Sequence, residues 1–384
     1  MDRDELSAWL RLVLTPRVGP AVSRKLLSAL GSPQAIFDAS PAVLAQIVSA
    51  RDAKALSVPP EGLDAQLEQT EAWLQSGQDE GPAERAVLTW ADPRYPAALL
   101  EAADPPVLLF AQGRLDLLQR PGVAVVGSRH PTPQGQDHAF AFARALSAAG
   151  VTVVSGLAQG VDGAAHEGAL AALAALADHP QAGSTVAVVG TGLDRVYPRA
   201  HLDLAHRVAA QGLMLSEFLL GTPPLAAHFP KRNRIVAGLT RGTLVVEAAV
   251  QSGSLITARL AAEMGREVLA IPGSIHSPQA RGCHALIKQG AKLVETAQDV
   301  LDELRLQYDV PLALCQGDTS GPTDGAANED PVLAAMGFDP VSQEALSART
   351  GMGPAALGAH LLELELAGRV ARLPGQLFQR VAHA

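Results

Sequence analysis

Three patterns predict an α/β protein built on a mostly parallel sheet, with a small helical domain before the sheet and a winged-helix-like domain after it. Six short aliphatic segments alternate with helical ones through the middle of the chain. A helix-spaced region precedes them, and three helical segments followed by a hairpin close the chain.

Residues 4–80 place apolar side chains at helical spacing: Leu6, Trp9, Leu10 and Val13, then Val22, Leu26, Leu27 and Leu30. Arg17-Val18-Gly19-Pro20 separates the first pair of helices. A Gly-Pro turn between short helices fits a helix-hairpin-helix, whose turn amides can meet a DNA backbone, and it fits a plain helical turn equally well. Residues 1–80 carry seven Lys and Arg against eleven Asp and Glu, which gives phosphate binding no support there. This first, helical domain is expected over residues 1–80.

From residue 107 the pattern changes. Val123–Val126, Val151–Val154, Val186–Val189, Leu213–Ser216, Leu244–Glu247 and Glu267–Ile271 read as strands. Gln134–Ala149, Val161–Ala177 and Ser254–Met264 read as helices between them. Uninterrupted aliphatic strands separated by helices imply a parallel sheet covered on both faces. A Rossmann-like core over residues 81–310 follows. Its site is expected beyond the carboxyl ends of the strands, where the strand order reverses.

Gln316–Asp330 has no aliphatic pattern and reads as a linker, assigned to residues 311–330. Beyond it, residues 331–384 carry helical segments at Pro331–Met336, Ser342–Arg349 and Pro354–Ala367. Two strands follow, Val370–Leu373 and Leu377–Val381, joined through Pro374-Gly375: the winged-helix pattern. The third helix holds Glu363 and Glu365 and neither Lys nor Arg, whereas readers of the major groove use Arg, Lys, Asn or Gln there. A protein-facing or accessory role is expected for this domain, and its removal is expected to leave single-strand affinity largely intact.

Composition narrows the function. The N-terminus lacks a basic segment followed by an apolar run, and no long uncharged apolar stretch occurs, so a soluble cytoplasmic protein is expected. Cys283 and Cys315 lie far apart and nothing near them has metal-ligand spacing, so neither a disulfide framework nor a metal site is expected. The net charge of −9 argues against a nucleic-acid partner only until its distribution is considered. Residues 195–241 hold seven basic against two acidic side chains, and residues 295–384 hold five against thirteen. One basic central segment can grip a phosphate backbone if its side chains converge.

The glycine-containing turns after the strands are the first candidates. Val123–Val126 runs into Gly127-Ser128-Arg129, Val151–Val154 into Ser155-Gly156-Leu157-Ala158-Gln159-Gly160-Val161-Asp162, and Val186–Val189 into Gly190-Thr191-Gly192. Glycine admits close approach of a ligand, helix N-termini present partial positive charge, and Arg129 adds a permanently charged fork. No turn completes a GxGxxG fingerprint, since Arg195 stands where the third glycine belongs, and no phosphate-binding GxxxxGK[ST] occurs, so no cofactor is expected. A second candidate joins Tyr197-Pro198-Arg199 to His228-Phe229-Pro230-Lys231-Arg232-Asn233-Arg234, cations beside an aromatic of the kind that single strands need. Gly253-Ser254 and Pro272-Gly273-Ser274 add small residues at further strand-to-helix junctions.

Residues 85–305 resemble the DNA-processing protein A (DprA/Smf) family. The resemblance runs, in order, through Tyr95-Pro96, Gly127-Ser128-Arg129, Ser155-Gly156-Leu157-Ala158, Gly160-Val161-Asp162 and Tyr197-Pro198. It continues through Ser216-Glu217-Phe218, Phe229-Pro230, Arg232-Asn233-Arg234-Ile235, Gly253-Ser254-Leu255-Ile256-Thr257, Pro272-Gly273, Leu286-Ile287 and Gly290-Ala291. It implies binding of single-stranded DNA, loading of a RecA-type recombinase onto that DNA during natural transformation, and homodimerisation. By the same resemblance Gly127, Ser128 and Arg129 would contact phosphates, and Arg199, Lys231, Arg232, Asn233 and Arg234 would line a basic pocket with Phe229, Gly253 and Ser254. The family usually has Lys at position 199, and Arg keeps its charge. Arg129→Ala is expected to weaken single-strand binding more than Arg24→Ala.

An enzymatic reading competes: a Rossmann-like nucleotide-processing enzyme of the phosphoribohydrolase type. Those enzymes carry a P-G-G-x-G-T loop, and here the stretch is Pro272-Gly273-Ser274-Ile275-His276. Asp162, His166 and Glu167 share one helix, but a capped helix start accounts for them. Glu217 and Glu247 end strands without a paired nucleophile. No catalysis is expected.

Overall fold

The computed structural model describes residues 1–79, 83–175, 183–306, 330–338 and 340–381. Most of the stretch read as a linker, together with Cys315, lies outside the described residues.

Six helices open the chain: α1 (Arg3–Leu14), α2 (Pro20–Leu30), α3 (Pro33–Asp38), α4 (Pro41–Ile47), α5 (Ala50–Leu56) and α6 (Leu63–Asp79). Their starts are written locally. Asp2, Ser32, Ser40 and Ser49 cap α1, α3, α4 and α5 with side-chain oxygens, and Pro occupies the first turn of α2, α3 and α4. Leu6, Trp9, Leu10 and Leu26 of these helices share a buried cluster with Val87, Leu108 and Phe110 of the sheet. Trp73 meets Phe110 edge to face, with ring centroids 5.8 Å apart.

The core elements follow as β1 (Glu84–Thr89), α7 (Ala97–Leu100), β2 (Leu108–Gly113), β3 (Gly122–Val126), α8 (Pro133–Ala148), β4 (Thr152–Ser155) and α9 (Val161–Ala175). Then come β5 (Thr185–Val188), α10 (Leu202–Gln211), β6 (Leu213–Ser216), α11 (His228–Gly238), β7 (Gly242–Val245), α12 (Ser254–Glu263), β8 (Glu267–Ala270), α13 (Arg281–Lys288), β9 (Lys292–Leu293) and α14 (Ala297–Glu303). The sheet order is β1-β2-β6-β5-β4-β3-β7-β8-β9. From β6 to β9 every pair is parallel, while β1–β2 and β2–β6 are antiparallel. The sheet is therefore mixed at one edge, which the aliphatic-run pattern does not register.

Alternation along the strands explains the two helical layers. Val123 and Val125 share a buried cluster with Ala139, Phe142 and Ala143 of α8 and Ala165 of α9. Their neighbours Ala124 and Val126 share another with Ile235 and Val236 of α11 and Ala258 of α12. Period-two side chains thus bury both faces.

The chain ends in α15 (Pro331–Met336), β10 (Val341–Ser342), α16 (Gln343–Thr350), α17 (Pro354–Leu366), β11 (Val370–Leu373) and β12 (Leu377–Arg380), with the small sheet ordered β10-β12-β11. This is the winged-helix arrangement. Gln379, 1% exposed, donates to the Gln134 Oε1 of α8 at 3.2 Å and to the Phe338 carbonyl at 2.9 Å.

Candidate nucleic-acid interface

The chain leaves β3 for β4, β5 and β6 on one side, then crosses to β7, β8 and β9 on the other. The reversal lies between β3 and β7, where the loops leaving the two strands part and a crevice opens. A cavity of about 750 Å³ lies there.

Its first wall is the loop after β3. The Ser128 amide donates to the Glu247 carbonyl at 2.7 Å. The Glu247 carboxylate accepts from the Thr132 amide at 2.9 Å and from its hydroxyl at 2.6 Å, and Thr132 caps α8. Burial raises the Glu247 carboxyl, and the two bonds from Thr132 oppose the rise. Glu247 thus pins both ends of the loop that carries Arg129. Arg129 itself is exposed, with its guanidinium carbon 5.8 Å from the centroid of the Phe229 ring, and it forms no ion pair with a described carboxylate.

The floor is made by the turn after β4. Leu157 adopts φ 60°, and the Asp162 Oδ2 accepts from the amides of Gly156 (3.2 Å) and Ala158 (3.3 Å). The Arg232 Nη2 lies 3.6 Å from the same oxygen, and both side chains are buried. Glycine at position 156 leaves room for Arg232 where it lies: a Cβ there would stand 1.3 Å from the Arg232 Nη1. Burial raises the Asp162 carboxyl against the pull of Arg232, and lowers the Arg232 guanidinium, which still keeps its charge. One turn along α9, His166 is wholly buried. Its Nε2 accepts from the Leu157 amide at 3.2 Å, so Nδ1 carries the proton toward the Thr185 Oγ1 at 2.6 Å. Thr185 in turn donates to the Val153 carbonyl. Burial, assisted by nearby His201 and Arg232, pushes the imidazole down to about 3.

Gly127, Ser128, Arg129, Phe229, Arg232, Asn233, Gly253 and Ser254 all line the cavity. Arg199 and Lys231 are exposed and lie outside its lining, and Arg234 is turned away. Arg234 donates to the Asp104 carbonyl at 2.6 Å, stands 3.3 Å from the Asp104 carboxylate, and pairs with Glu217. Helical geometry explains the dispersal. Residues 229, 232 and 233 share one face of α11, while 231 and 234 are rotated off it.

The remaining carboxylates are also engaged. Glu167 pairs with Arg207 rather than standing with Asp162 and His166. Burial raises the Glu217 carboxyl, opposed by Arg234. Among the described residues no His, Cys, Asp and Glu cluster has the makings of a metal site. Cys283 is buried, and burial pushes its thiol up to about 12. The cavity also recruits His130, Gln251 and Gln279, which were not singled out from the sequence, and Tyr197 of the second candidate segment. Tyr197 alone carried a signal, standing beside Pro198 and Arg199. The glutamines sit in loops whose course only the fold sets.

A Rossmann-like sheet with a pocket at its reversal point, placed between a small helical domain and a winged helix, defines a three-part α/β protein. Comparison with known proteins is more specific. The family model described as DNA recombination-mediator protein A matches residues 86–305, a DprA-like N-terminal helix-hairpin-helix domain matches 3–62, and a DprA winged helix domain matches 317–376. Protein Smf of Escherichia coli is 43% identical over 284 residues, 73% of this chain and 74% of that protein. DNA processing protein DprA of Streptococcus pneumoniae is 50% identical over 212 residues, 55% of this chain and 72% of the relative. The chain belongs to the DprA/Smf family.

Two solved structures agree. DNA processing protein A from Streptococcus pneumoniae superposes with a TM-score of 0.62 at 37% identity, covering 80% of this chain and 99% of that one. DNA processing protein A from Helicobacter pylori, described for its single-stranded DNA binding mode, gives 0.51 at 31% identity, covering 58% and 97%. Among the described residues no helix is long and apolar enough to cross a membrane.

Proposed function

We propose that this protein binds single-stranded DNA at the cavity between β3 and β7 and, as a cytoplasmic homodimer, loads a RecA-type recombinase onto incoming DNA during natural transformation. One observation carries the binding step. Arg129 stands exposed and without a carboxylate partner at the cavity mouth, beside the Phe229 ring, with Ser128, Gly253 and Ser254 around it. A free guanidinium next to an aromatic face suits a backbone phosphate and an unstacked base together. The binding mode named for the Helicobacter pylori relative supports the same reading, and the family's description as a recombination mediator supports the loading step.

The reading is of a binder rather than a catalyst. The carboxylates at the strand ends, Glu217 and Glu247, hold Arg234 and Thr132 and so are committed to structure. Arg199 and Lys231, exposed near the pocket, extend the positive surface without lining it. The direct test is a titration of a labelled oligonucleotide, single-stranded against duplex, at two salt concentrations. Preferential single-strand binding that weakens with salt, by a log–log slope of about −0.7 per phosphate neutralised, is the expected result. Salt-independent binding, or equal affinity for duplex, would overturn it.

A further inference from the structure

Aromatic side chains are scarce in this chain: eight Phe, three Tyr and three Trp among 384 residues. Among the described residues, Tyr95, Trp9, Trp73, Phe110, Phe142 and Phe378 are each less than a tenth exposed. Tyr197, by contrast, is 47% exposed at the cavity mouth. Its ring centroid lies 5.4 Å from that of Phe229, with the planes tilted by 43°. Arg129 flanks the same Phe229 ring. The preceding residue, His228, stacks on Phe218 with ring centroids 4.1 Å apart, and its Nδ1 donates to the Gly190 carbonyl at 3.2 Å. The Tyr197 hydroxyl forms no hydrogen bond with a described residue, so no polar tether accounts for the ring's position.

We propose that Tyr197 is a base-stacking residue: the strand lies with a phosphate on Arg129 and a base turned inward onto the Tyr197 ring at the edge of Phe229. The inference rests on the single-strand reading and adds what that reading leaves open, the orientation of the bases. An exposed, half-free aromatic face loses area to water unless something flat covers it, and every base presents such a face regardless of its identity. The phosphates would then run on the Arg129 side of the mouth, and the bases would face the cavity.

The experiment compares wild type, Tyr197→Ala, Tyr197→Phe and Tyr197→Trp on two probes of equal length, oligothymidylate and a fully abasic strand. Stacking is worth roughly 1–3 kcal/mol per base, so Tyr197→Ala should weaken oligothymidylate binding by about 5- to 150-fold. Tyr197→Phe should stay close to wild type, and the indole of Tyr197→Trp should be quenched as oligothymidylate binds. On the abasic strand, wild type and Tyr197→Ala should bind alike. An equal loss on both strands would mean that Tyr197 acts on the backbone or the fold, and no loss on oligothymidylate would remove it from the interface; either overturns the inference while leaving the single-strand reading in place. If wild type bound neither probe, the single-strand reading itself would fall. Position 197 is at the surface, and thermal unfolding of each variant confirms that the comparison is between folded proteins.

Discussion

The mouth and the floor of one cavity use the same residue type in opposite ways. At the mouth, Arg129 is exposed, lies beside the Phe229 ring, and springs from a loop held at both ends by Glu247. At the floor, Arg232 is 5% exposed, fills the space left by Gly156 and faces Asp162. The floor fixes the turns and the mouth is left free, so preorganisation and binding fall on different arginines of one pocket. Substitutions at the floor should register as lost stability, and substitutions at the mouth as lost affinity.

The largest effect is expected at the floor. Arg232→Ala leaves the Asp162 carboxylate buried without its cation and opens a void beside Gly156. Removing one partner of a buried pair costs about 3–5 kcal/mol. Urea unfolding should show a loss of that order. A stability equal to wild type, with only affinity reduced, would move Arg232 from the floor to the binding surface and erase the contrast.

His166 offers a test of the floor that removes no ion pair. Its native imidazole is held down at about 3, whereas its ordinary value is 6.5. Below 6.5 the unfolded chain takes up a proton that the native state refuses. The stabilising contribution is therefore complete above 6.5 and declines as pH falls toward 3, by up to about 1.4 kcal/mol per pH unit. Unfolding free energies of wild type measured from about pH 7 to 5 should fall more steeply than those of His166→Gln. Parallel pH dependences in the two proteins would show that the burial of His166 is not the source.

At the mouth, Arg129→Ala should leave thermal stability unchanged, lower single-strand affinity by about tenfold and reduce the magnitude of the log–log salt slope by about 0.7. The control has to be chosen from the structure. Arg24, which by sequence is just a cation in an acidic domain, donates to the Leu100 and Ala102 carbonyls at 2.9 and 2.8 Å and joins the helical domain to the core. Exposed Lys25 has no such role, and Lys25→Ala should bind as wild type does. If Lys25→Ala and Arg129→Ala behaved alike, the mouth would have no special standing.

What could be read from the sequence follows a physical line. The two-residue β9 was too short to register; the other six of the seven strands of the parallel part were legible because burial gives each an aliphatic run, and structure and sequence agree on them within a few residues. The antiparallel edge was not, because Glu84 and Arg85 open β1 and Gly113 closes β2, so neither looks like a buried strand. The glycine turns that surround the cavity were visible as local chemistry. The division of Lys231, Arg232 and Arg234 was not, because consecutive cations look equivalent until a helix sends them to different faces. Tyr197 and Phe229 were joined in one candidate from the sequence, but the contact of their rings, thirty-two positions apart, is set by the fold.

The winged helix sets the smallest expected effect. A fold often used to read duplex DNA presents here an outward face of Leu362 and Leu366, 56% and 81% exposed, with exposed Glu363 between them and no cation on α17. One contact with the core runs through Gln379 to Gln134, and no described winged-helix residue lines the cavity. Deleting residues 331–384 should therefore leave single-strand affinity within about a factor of two, measured by the same titration on the shortened and full chains. A loss of tenfold or more would mean that the domain steadies the Arg129 loop from behind, through α8 and the Thr132 cap that Glu247 holds. The division of labour between mouth and floor would then extend across the domain boundary.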